Sequence, residues 1–243
     1  MSLSIKLGNF LYKRAFFLYR PIYNRFKNRQ DAFEISLLKE HIQKGAVVLD
    51  IGANIGFYAQ ILADIVGDNG MVHCFEPDRT NFGYLQKYVG SNARVQLYQS
   101  AVGATTTTLK IYLSDTLNVD HRTYEPEHYE RVEEIQCIAI DGIFKGQKVD
   151  FIKMDIQGFE YEALKGMQHT LENNPHLKII SEFWPYGLYK AGSSALEYFD
   201  KLTSLGFKCA LIENNVTKQL MRNTVEKINQ EPEEKYYNIL AWR

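Results

Sequence analysis

Short apolar runs alternate along the chain with stretches in which apolar residues recur every three or four positions. The runs predict buried strands at 46–51, 71–75, 95–98, 149–154, 178–181, 207–212 and 237–242. The stretches with helical spacing are 31–44, 57–66, 77–89, 159–166 and 194–205. This alternation predicts an α/β fold, a seven-stranded mostly parallel sheet with helices on both faces. The last two strands are close in sequence, which favours a late antiparallel hairpin.

Signals at the helix ends support these boundaries. Asp31 can cap the first of these helices, and Gly45 suits its exit. Ser194 and Glu197 form a capping box at the start of the last helix, which Gly206 closes. We therefore expect independent helices with defined ends, packed against the sheet.

Residues 5–27 mix aromatic and basic side chains at a spacing compatible with helix, interrupted at Pro21. We divide the chain into a basic, aromatic N-terminal helical extension, 1–30, and one domain, 31–243. The extension could be an appendage packed on the domain, a lid over the substrate, or a contact with a membrane surface or a second copy.

Composition narrows the class of protein. The formal net charge is −1 and the pI about 6.6, so we expect no nucleic-acid partner. The charge is uneven, because residues 1–30 hold seven Lys or Arg and no acid, while the rest hold 21 basic and 29 acidic residues.

Three scattered cysteines indicate neither disulfides nor a zinc site. The longest apolar run near the N-terminus, 15–19, is too short for a membrane span. We predict a cytoplasmic protein, with peripheral membrane contact through residues 1–30 left open.

Polar residues stand at the ends of the apolar runs that predict parallel strands. These strand ends are Asp50, Glu76, Ser100, Asp155 and Glu182. In a doubly wound sheet the ligand lies beyond the carboxyl ends of the strands. The sequence therefore predicts one polar site at this edge of the sheet.

A glycine turn, Gly52 to Gly56, follows the first strand. Glycines let the backbone approach a ligand closely, and the helix that follows offers free N–H groups to an anion. Asp50 could hold the loop amides or answer a positive charge on the ligand, and Asn54 could fix the turn or touch the ligand. Glu76, at the tip of the second strand, can accept hydrogen bonds from two ribose hydroxyls. Each feature alone is typical of an ordinary turn or cap, but together they predict a nucleoside site.

The turn favours S-adenosylmethionine over a dinucleotide. Gly52-Ala-Asn-Ile-Gly56 lacks the middle glycine that lets a pyrophosphate approach the backbone. Asp50 would also repel a pyrophosphate, whereas it suits a cationic sulfonium. This cofactor implies methyl transfer.

The sequence resembles the FkbM family of S-adenosylmethionine-dependent methyltransferases. The matching stretches are Val-Val-Leu-Asp-Ile-Gly-Ala-Asn-Ile-Gly (47–56), Phe-Glu-Pro-Asp with the following Asn-Phe (75–82), Ser-Ala-Val-Gly (100–103), Val-Asp-Phe-Ile-Lys-Met-Asp-Ile-Gln-Gly-Phe-Glu (149–160) and Leu-Lys-Gly-Met (164–167). Many class I methyltransferases share the first stretch, and the fourth is more diagnostic. The resemblance covers about residues 45–210 and implies a Rossmann-like class I methyltransferase fold.

The resemblance also implies roles for individual residues. The residues that would line the cofactor are Asp50, Gly52, Asn54, Gly56 and Glu76. Ser100 and Ala101 would approach the adenine, and Asp155 would lie near the reacting end. Two residues depart from the common pattern: Ala59 stands where Thr or Ser is frequent, and Gln157 where Glu is frequent. Gln157 weakens any assignment of a metal or a carboxylate base at that position.

Members of the family resemble O-methyltransferases acting on polyketides, sugars and glycans. A hydroxyl acceptor must lose its proton near the transition state. The candidate bases are Asp155, His121, Glu160 and Glu182. His121 lies in the irregular polar stretch 114–130, between extended segments at 107–113 and 134–140, and could equally be a solvated loop histidine. We predict His121 and Asp155 as the catalytic residues.

Three residues are predicted to bind the acceptor. Arg122 could bind an anionic group, while Glu182 and Trp184 open an aromatic segment, 182–188, that could be a sugar-stacking wall or simply core. Asp155 and Glu182 could hold Mg²⁺, but no spacing demands it, so we predict no metal.

Other functions remain open at this level. An amino-methylating enzyme commonly has an Asn- or Asp-Pro-Pro-Tyr turn after the fourth strand, whereas Asp155-Ile-Gln-Gly contains no proline. A dehydrogenase is disfavoured by the glycine pattern. A non-catalytic module that kept the cofactor cleft is also compatible with the fold.

Overall fold

A computed structural model describes residues 3–113, 122–126, 129–230, 233 and 235–243 of the chain. Its strands are β1 (Val47–Ile51), β2 (Met71–Phe75), β3 (Val95–Tyr98), β4 (Ala101–Val102), β5 (Thr107–Leu113), β6 (Arg131–Ile138), β7 (Phe151–Met154), β8 (Lys178–Phe183), β9 (Lys208–Glu213), β10 (Val216–Gln219) and β11 (Tyr237–Trp242). Its helices are α1 (Leu3–Arg14), α2 (Phe16–Gln30), α3 (Ala32–His41), α4 (Phe57–Val66), α5 (Arg79–Val89), α6 (Ile140–Ile143), α7 (Glu160–Lys165), α8 (Gln168–Asn173), α9 (Pro185–Lys190), α10 (Ala195–Ser204) and α11 (Arg222–Ile228).

The main sheet has the strand order β10-β9-β11-β8-β7-β1-β2-β3 within the described ranges. Neighbours from β8 to β3 pair in parallel, while β11 pairs antiparallel with both β8 and β9. The predicted α/β sheet is therefore present, but it is mixed, with four parallel and three antiparallel pairings, and it has eight strands instead of the predicted seven. The eighth strand, β10, is an edge strand whose four residues are all exposed, so it carries no apolar signature. The last two predicted strands pair antiparallel, although β10 and α11 lie between them in the chain.

Helices cover both faces of this sheet. Alternate residues of β1 belong to different cores, because Val48 packs with residues of α3, α4 and α5, whereas Leu49 packs with residues of α7, α8 and α10. A second sheet, ordered β4-β6-β5, pairs the two segments predicted to be extended. β5 and β6 pair antiparallel from Thr107↔Cys137 to Leu113↔Arg131.

The N-terminal extension folds as α1 and α2, with the break at Ala15. The predicted interruption at Pro21 is wrong, since Pro21 lies inside α2. Ala15 has φ −143° and ψ 52°, which ends one helix before the next begins. Pro21 is exposed, so water can satisfy the carbonyl that lacks a partner N–H. Tyr12 and Phe16 pack on α5, and the Phe16 ring stacks on Tyr84 with centroids 3.5 Å apart.

Asp31 holds the N-cap position of α3, but its side chain makes no capping bond. Its carboxylate instead accepts a hydrogen bond from Tyr58 (2.8 Å) and pairs with Lys27. The capping box at α10 is confirmed, because Ser194 Oγ accepts from the Glu197 N–H at 3.2 Å. None of the described helices is long and apolar enough to cross a membrane.

Candidate active site

A cavity of about 620 Å³ opens at the carboxyl ends of the parallel strands. It is lined by nine of the residues singled out in the sequence: Gly52, Asn54, Glu76, Ser100, Ala101, Arg122, Asp155, Glu182 and Trp184. Cofactor-side and acceptor-side candidates thus share one space. Among the described candidates, Asp50 and Gly56 lie behind its wall. His121 lies outside the described residues, so its predicted role stays a prediction.

Glu76 holds two loops together at the tip of β2. Its Oε2 accepts the Asn54 N–H at 2.8 Å, and its Oε1 accepts the Asp78 N–H at 2.9 Å. Burial raises the pKa of Glu76 to about 8, although both hydrogen bonds oppose the shift. Each carboxyl oxygen retains capacity for one further hydrogen bond. Glu76 can therefore accept from a pair of hydroxyls while it fixes the turn.

The glycine turn is required by contacts within the protein itself. Gly52 has φ +86°, and an added Cβ would overlap the carbonyl oxygen of Asp155. Gly56 has φ +87°, and an added Cβ would lie 2.9 Å from Leu85 Cδ1. Asn54 fixes the turn, since its Oδ1 accepts the Ile55 N–H at 2.7 Å. Close approach to a ligand is therefore not needed to explain these glycines, although Gly52 and Asn54 do line the cavity.

Asp50 does not hold the loop amides, one of the two roles considered for it. Both carboxyl oxygens are buried and have no hydrogen-bond partner among the described residues. Burial raises its pKa to about 6, while the cation of Lys153, its register partner on β7, opposes the shift. Asp50 therefore belongs with Lys153 to a group of charges at the cavity wall.

Sequence reasoning missed this group of charges. Lys153 is buried, with Nζ 3.7 Å from Asp155 Oδ2 and 4.2 Å from the centroid of the Tyr58 ring. Burial would lower the pKa of Lys153, but Asp155, Glu34 and Asp50 together raise it. Glu34, on α3, is also buried and accepts a hydrogen bond from Asn238 Nδ2 at 2.6 Å. The one available signal was a lysine in the otherwise apolar run at 151–154.

Gln157 organises the acidic end of the cavity. Its Nε2 donates to Asp155 Oδ1 at 3.1 Å and lies 3.2 Å from each oxygen of Glu182. Burial, and then the charge of Asp155, raise the pKa of Glu182 well above its usual range. The glutamine that departs from the family pattern is thus the hydrogen-bond donor that lets two carboxyl groups lie together. Glu160 lies below this group and accepts the Ile156 N–H at 3.0 Å, which supports a structural role.

Arg122 and Trp184 meet at the other wall. The Arg122 guanidinium carbon lies 5.0 Å from the centroid of the Trp184 ring. Trp184 Nε1 donates to the Glu233 carbonyl at 2.6 Å, which fixes the ring. Trp184 is buried yet lines the cavity, so it is both a core residue and a wall. The three predicted acceptor residues are therefore brought together.

The cavity fits a nucleoside with a charged tail. Ser100 Oγ is buried at the cavity wall and has no hydrogen-bond partner among the described residues. A buried hydroxyl without a partner is costly in the fold and is relieved by a ligand that bonds to it. Glu76 and Ser100 together offer polar atoms for a sugar and a base. In the described part of the chain, no three His, Cys, Asp or Glu residues form a group that could hold a metal ion.

Two methyltransferases and a fibrillarin are among the solved structures with a similar architecture. Precorrin-6y C5,15-methyltransferase from Geobacter metallireducens GS-15 is 14% identical, with a TM-score of 0.50 and 88% of each chain covered. A SAM-dependent methyltransferase from Aquifex aeolicus is 18% identical, with a TM-score of 0.48, 88% of this chain and 92% of that chain covered. Aeropyrum pernix fibrillarin, with natively bound S-adenosyl-L-methionine, is 11% identical, with a TM-score of 0.49, 86% of this chain and 73% of that chain covered. A comparison with curated proteins gives no significant match.

The strand order and the position of the cavity define a class I methyltransferase fold. A family model described as "Methyltransferase FkbM domain" matches residues 50–209. The chain therefore belongs to the FkbM methyltransferase family. This confirms the family predicted from the sequence, and with it the prediction of an S-adenosylmethionine-dependent methyltransferase.

Proposed function

We propose that this methyltransferase transfers the methyl group to a hydroxyl of a sugar, a glycan or a polyketide-like small molecule. The observation that carries the proposal is that one cavity joins the nucleoside-side residues to an acidic and aromatic acceptor side. The cofactor supplies a methyl group that is already activated by its sulfonium, so the protein has to align donor and acceptor and exclude water.

The cofactor would lie along the tips of β1 and β2. Glu76 would accept hydrogen bonds from the ribose hydroxyls, and Ser100 and Ala101 would contact the base. The first turn of α4, where Tyr58 lines the cavity, would face the carboxylate of the methionine part, because the N–H groups at a helix N-terminus favour an anion. The sulfonium would then face the carboxylates of Asp155 and, more distantly, Asp50.

Asp155 is the better placed of the two carboxyl bases at the acceptor end. Its side chain is 44% exposed and lies within hydrogen-bond distance of Gln157. Glu182 is buried, and burial raises the pKa of its carboxyl, so it is the less accessible of the two groups. The Arg122–Trp184 wall suits a sugar ring with an anionic group, because an aromatic face stacks on the ring and a guanidinium pairs with the anion. His121 stays the second candidate base, and the absence of a nucleic-acid substrate also stays a prediction.

Calorimetry with S-adenosylhomocysteine tests the cofactor site. We expect micromolar binding of this product and none of NAD. Ser100→Ala should weaken binding by about threefold to tenfold, because one ligand hydrogen bond of ~0.5–1.5 kcal/mol is lost, without lowering thermal stability. Ser204→Ala, at an exposed helix end, is the matched control and should change neither quantity. Unchanged affinity in Ser100→Ala would contradict this placement of the nucleoside, and NAD binding would contradict the cofactor class.

Transfer of labelled methyl groups tests the acceptor class. We expect label on hydroxyl-bearing sugars, glycans or polyketides and not on amines; label on amines alone would refute O-methylation. Asp155→Asn should lower kcat while affinity for S-adenosylhomocysteine stays within about threefold. His121→Ala measured beside it decides which residue takes the proton, since the base is the one whose loss removes turnover and flattens the pH profile.

A further inference from the structure

The helices α1 and α2 have an inward face that already anchors them to the domain. Four aromatic residues, Tyr12, Phe16, Tyr19 and Tyr23, form this face at spacings of four, three and four. They pack with Tyr84 and Tyr88 of α5 and with Phe57 of α4. Tyr12 OH also donates to Asn81 Oδ1 at 2.6 Å. The remaining surface of the two helices is therefore not needed to hold them in place.

That outward face is unusually apolar. Its exposed large side chains are Phe10 (60%), Phe17 (70%), Leu18 (49%), Ile22 (63%) and Phe26 (61%). Elsewhere in the described chain, the exposed large apolar residues are scattered over positions 129–236. Leu18, Ile22 and Phe26 follow one another at intervals of four, so they form a stripe along α2. An exposed apolar stripe of this kind indicates an interaction surface.

The same face is basic. Lys13, Arg14, Arg25 and Arg29 are exposed beside the apolar residues. Two further cations of α2 make contacts within the protein. Arg20 lies 4.0 Å from the Tyr88 ring centroid, and Lys27 pairs with Asp31. Residues 1–30 contain no acid, whereas the rest of the chain has eight more acidic than basic residues. A partner for this face must therefore be negatively charged and offer an apolar layer beneath its charges.

We propose that the outward face of α1 and α2 binds the surface of an anionic lipid bilayer. The exposed Phe, Leu and Ile side chains would enter the boundary between headgroups and acyl chains, and the flanking Lys and Arg side chains would lie at the phosphates. The acidic remainder of the molecule would be repelled, which orients the protein with this face toward the membrane.

A second copy of the chain fits the face less well. A two-fold contact places the same patch on both sides, so Arg25 and Arg29 would face the same cations of the partner copy. Single-stranded nucleic acid would use the charges and could stack on Phe17 or Phe26, but Leu18 and Ile22 offer no aromatic face. A bilayer uses both the charged and the aliphatic residues.

The face also borders the cavity. Tyr23, Phe26, Lys27 and Gln30 of α2 line its wall, and Phe26 is both exposed and part of that wall. A molecule docked through α2 would have the cavity mouth next to the bilayer surface, so an acceptor carried by a lipid could enter directly. The entry of a lipid-carried acceptor rests on the proposed methyl transfer. Binding of the protein to vesicles does not depend on that proposal.

Co-sedimentation of the full chain with sucrose-loaded vesicles tests the proposal. We expect binding to phosphatidylcholine vesicles that contain phosphatidylglycerol, weak binding to phosphatidylcholine alone, and a loss of binding as the salt concentration rises. Phe17→Ser with Ile22→Ser should lower the partition coefficient by about tenfold or more. The control pair is Tyr189→Ser with Met221→Ser, which removes two exposed apolar side chains elsewhere and should leave binding unchanged.

A second pair of variants separates charge from apolar contact. Arg25→Gln with Arg29→Gln should weaken binding to the mixed vesicles and reduce its salt dependence, whereas Lys145→Gln with Lys208→Gln, exposed elsewhere, should not. Unchanged affinity for S-adenosylhomocysteine in all four pairs shows that the fold is intact. Absence of binding to mixed vesicles would overturn the proposal, as would equal binding by the α2 and control variants. Dimerisation lost in the α2 variants, or capture of poly-uridine without capture of vesicles, would assign the face to those partners instead.

Discussion

At the scale of single residues, Lys153 determines the electrostatics of the site. It is a buried cation on the central strand β7, facing Asp50, Glu34 and Asp155. Removing one partner from a buried group of charges leaves the others without compensation, which costs far more than the loss of an exposed ion pair. Lys153 therefore compensates the charge of the carboxyl groups around it at the cavity wall.

We predict that Lys153→Met lowers the free energy of unfolding by about 3–5 kcal/mol at neutral pH. The matched control is Lys148→Met, whose side chain is 71% exposed and pairs with Asp150; it should cost less than about 1 kcal/mol. Urea unfolding monitored by circular dichroism measures both. Equal losses in the two variants would show that Lys153 does not compensate the carboxylates.

The acids at the strand tips could be predicted because each ends an apolar run, a signal confined to a few neighbouring residues. The partners of Lys153 could not be predicted from the sequence. Glu34 and Asn238 form a hydrogen bond across 204 positions of sequence, and neither position differs locally from an ordinary surface helix or strand. The link between Gln157 and Glu182 is hidden for the same reason, since only the fold brings their loops together.

At the scale of elements, the loop after β1 is in close backbone contact with the loop after β7. Gly52 adopts a left-handed conformation, and its Cα faces the Asp155 carbonyl so closely that no side chain fits. The same contact places Asp155 at the cavity. Neighbouring parallel strands thus fix the distance between the proposed nucleoside side and the proposed acceptor side.

Gly52→Ala should destabilise the protein by roughly 2–3 kcal/mol or more, because it adds backbone strain and forces the two loops apart. It should also weaken binding of S-adenosylhomocysteine. Gly83→Ala is the matched control, since Gly83 lies in α5 with nothing within 4 Å of an added Cβ. That control should gain about 0.5–1 kcal/mol of stability. Thermal and urea unfolding distinguish the two, and a stable Gly52→Ala protein would show that the loops can separate freely.

Elements in which apolar residues recur at a regular spacing could be predicted well, whereas elements without such a pattern could not. α4 spans the predicted residues 57–66, because four of its residues, Ala59, Leu62, Ala63 and Val66, are buried on one face and Gly67 ends it. β10 was missed because all four of its own side chains are exposed, although its partners on β9 include the buried Leu211 and Ala210. The sequence predicts the helix break at Pro21, whereas the break lies at Ala15. An exposed proline within a helix costs little because water can hydrogen-bond to the carbonyl that the proline leaves without a donor.

At the scale of the whole molecule, several acidic groups in and around the cavity are buried, and burial raises their pKa values. The pKa is about 8 for Glu76, about 7 for Glu160 and about 6 for Asp50, and burial is the largest cause for each. The pKa of Glu34 and of Glu182 is raised as well. The folded protein therefore binds more protons than the unfolded chain in the neutral range.

We predict that stability falls as pH rises from about 5 to about 9. A carboxyl with a raised folded-state pKa favours folding below its unfolded pKa, and that contribution is lost as pH rises through the folded value. Glu160→Gln removes one such group, so its stability should decline less between about 5 and 7. Urea unfolding across this range measures the slope. A stability that increases with pH, or a Glu160→Gln slope equal to that of the parent, would contradict the prediction.

The place of β11 in the sheet has a consequence for synthesis of the protein. β11 follows every other described element in the chain, yet it lies between β8 and β9 and carries Asn238 to the cavity wall. While the nascent chain leaves the ribosome, β9 and β10 emerge with no strand to join them to β8. The part of the cavity wall that includes Asn238 therefore stays incomplete until residues 237–242 have been made.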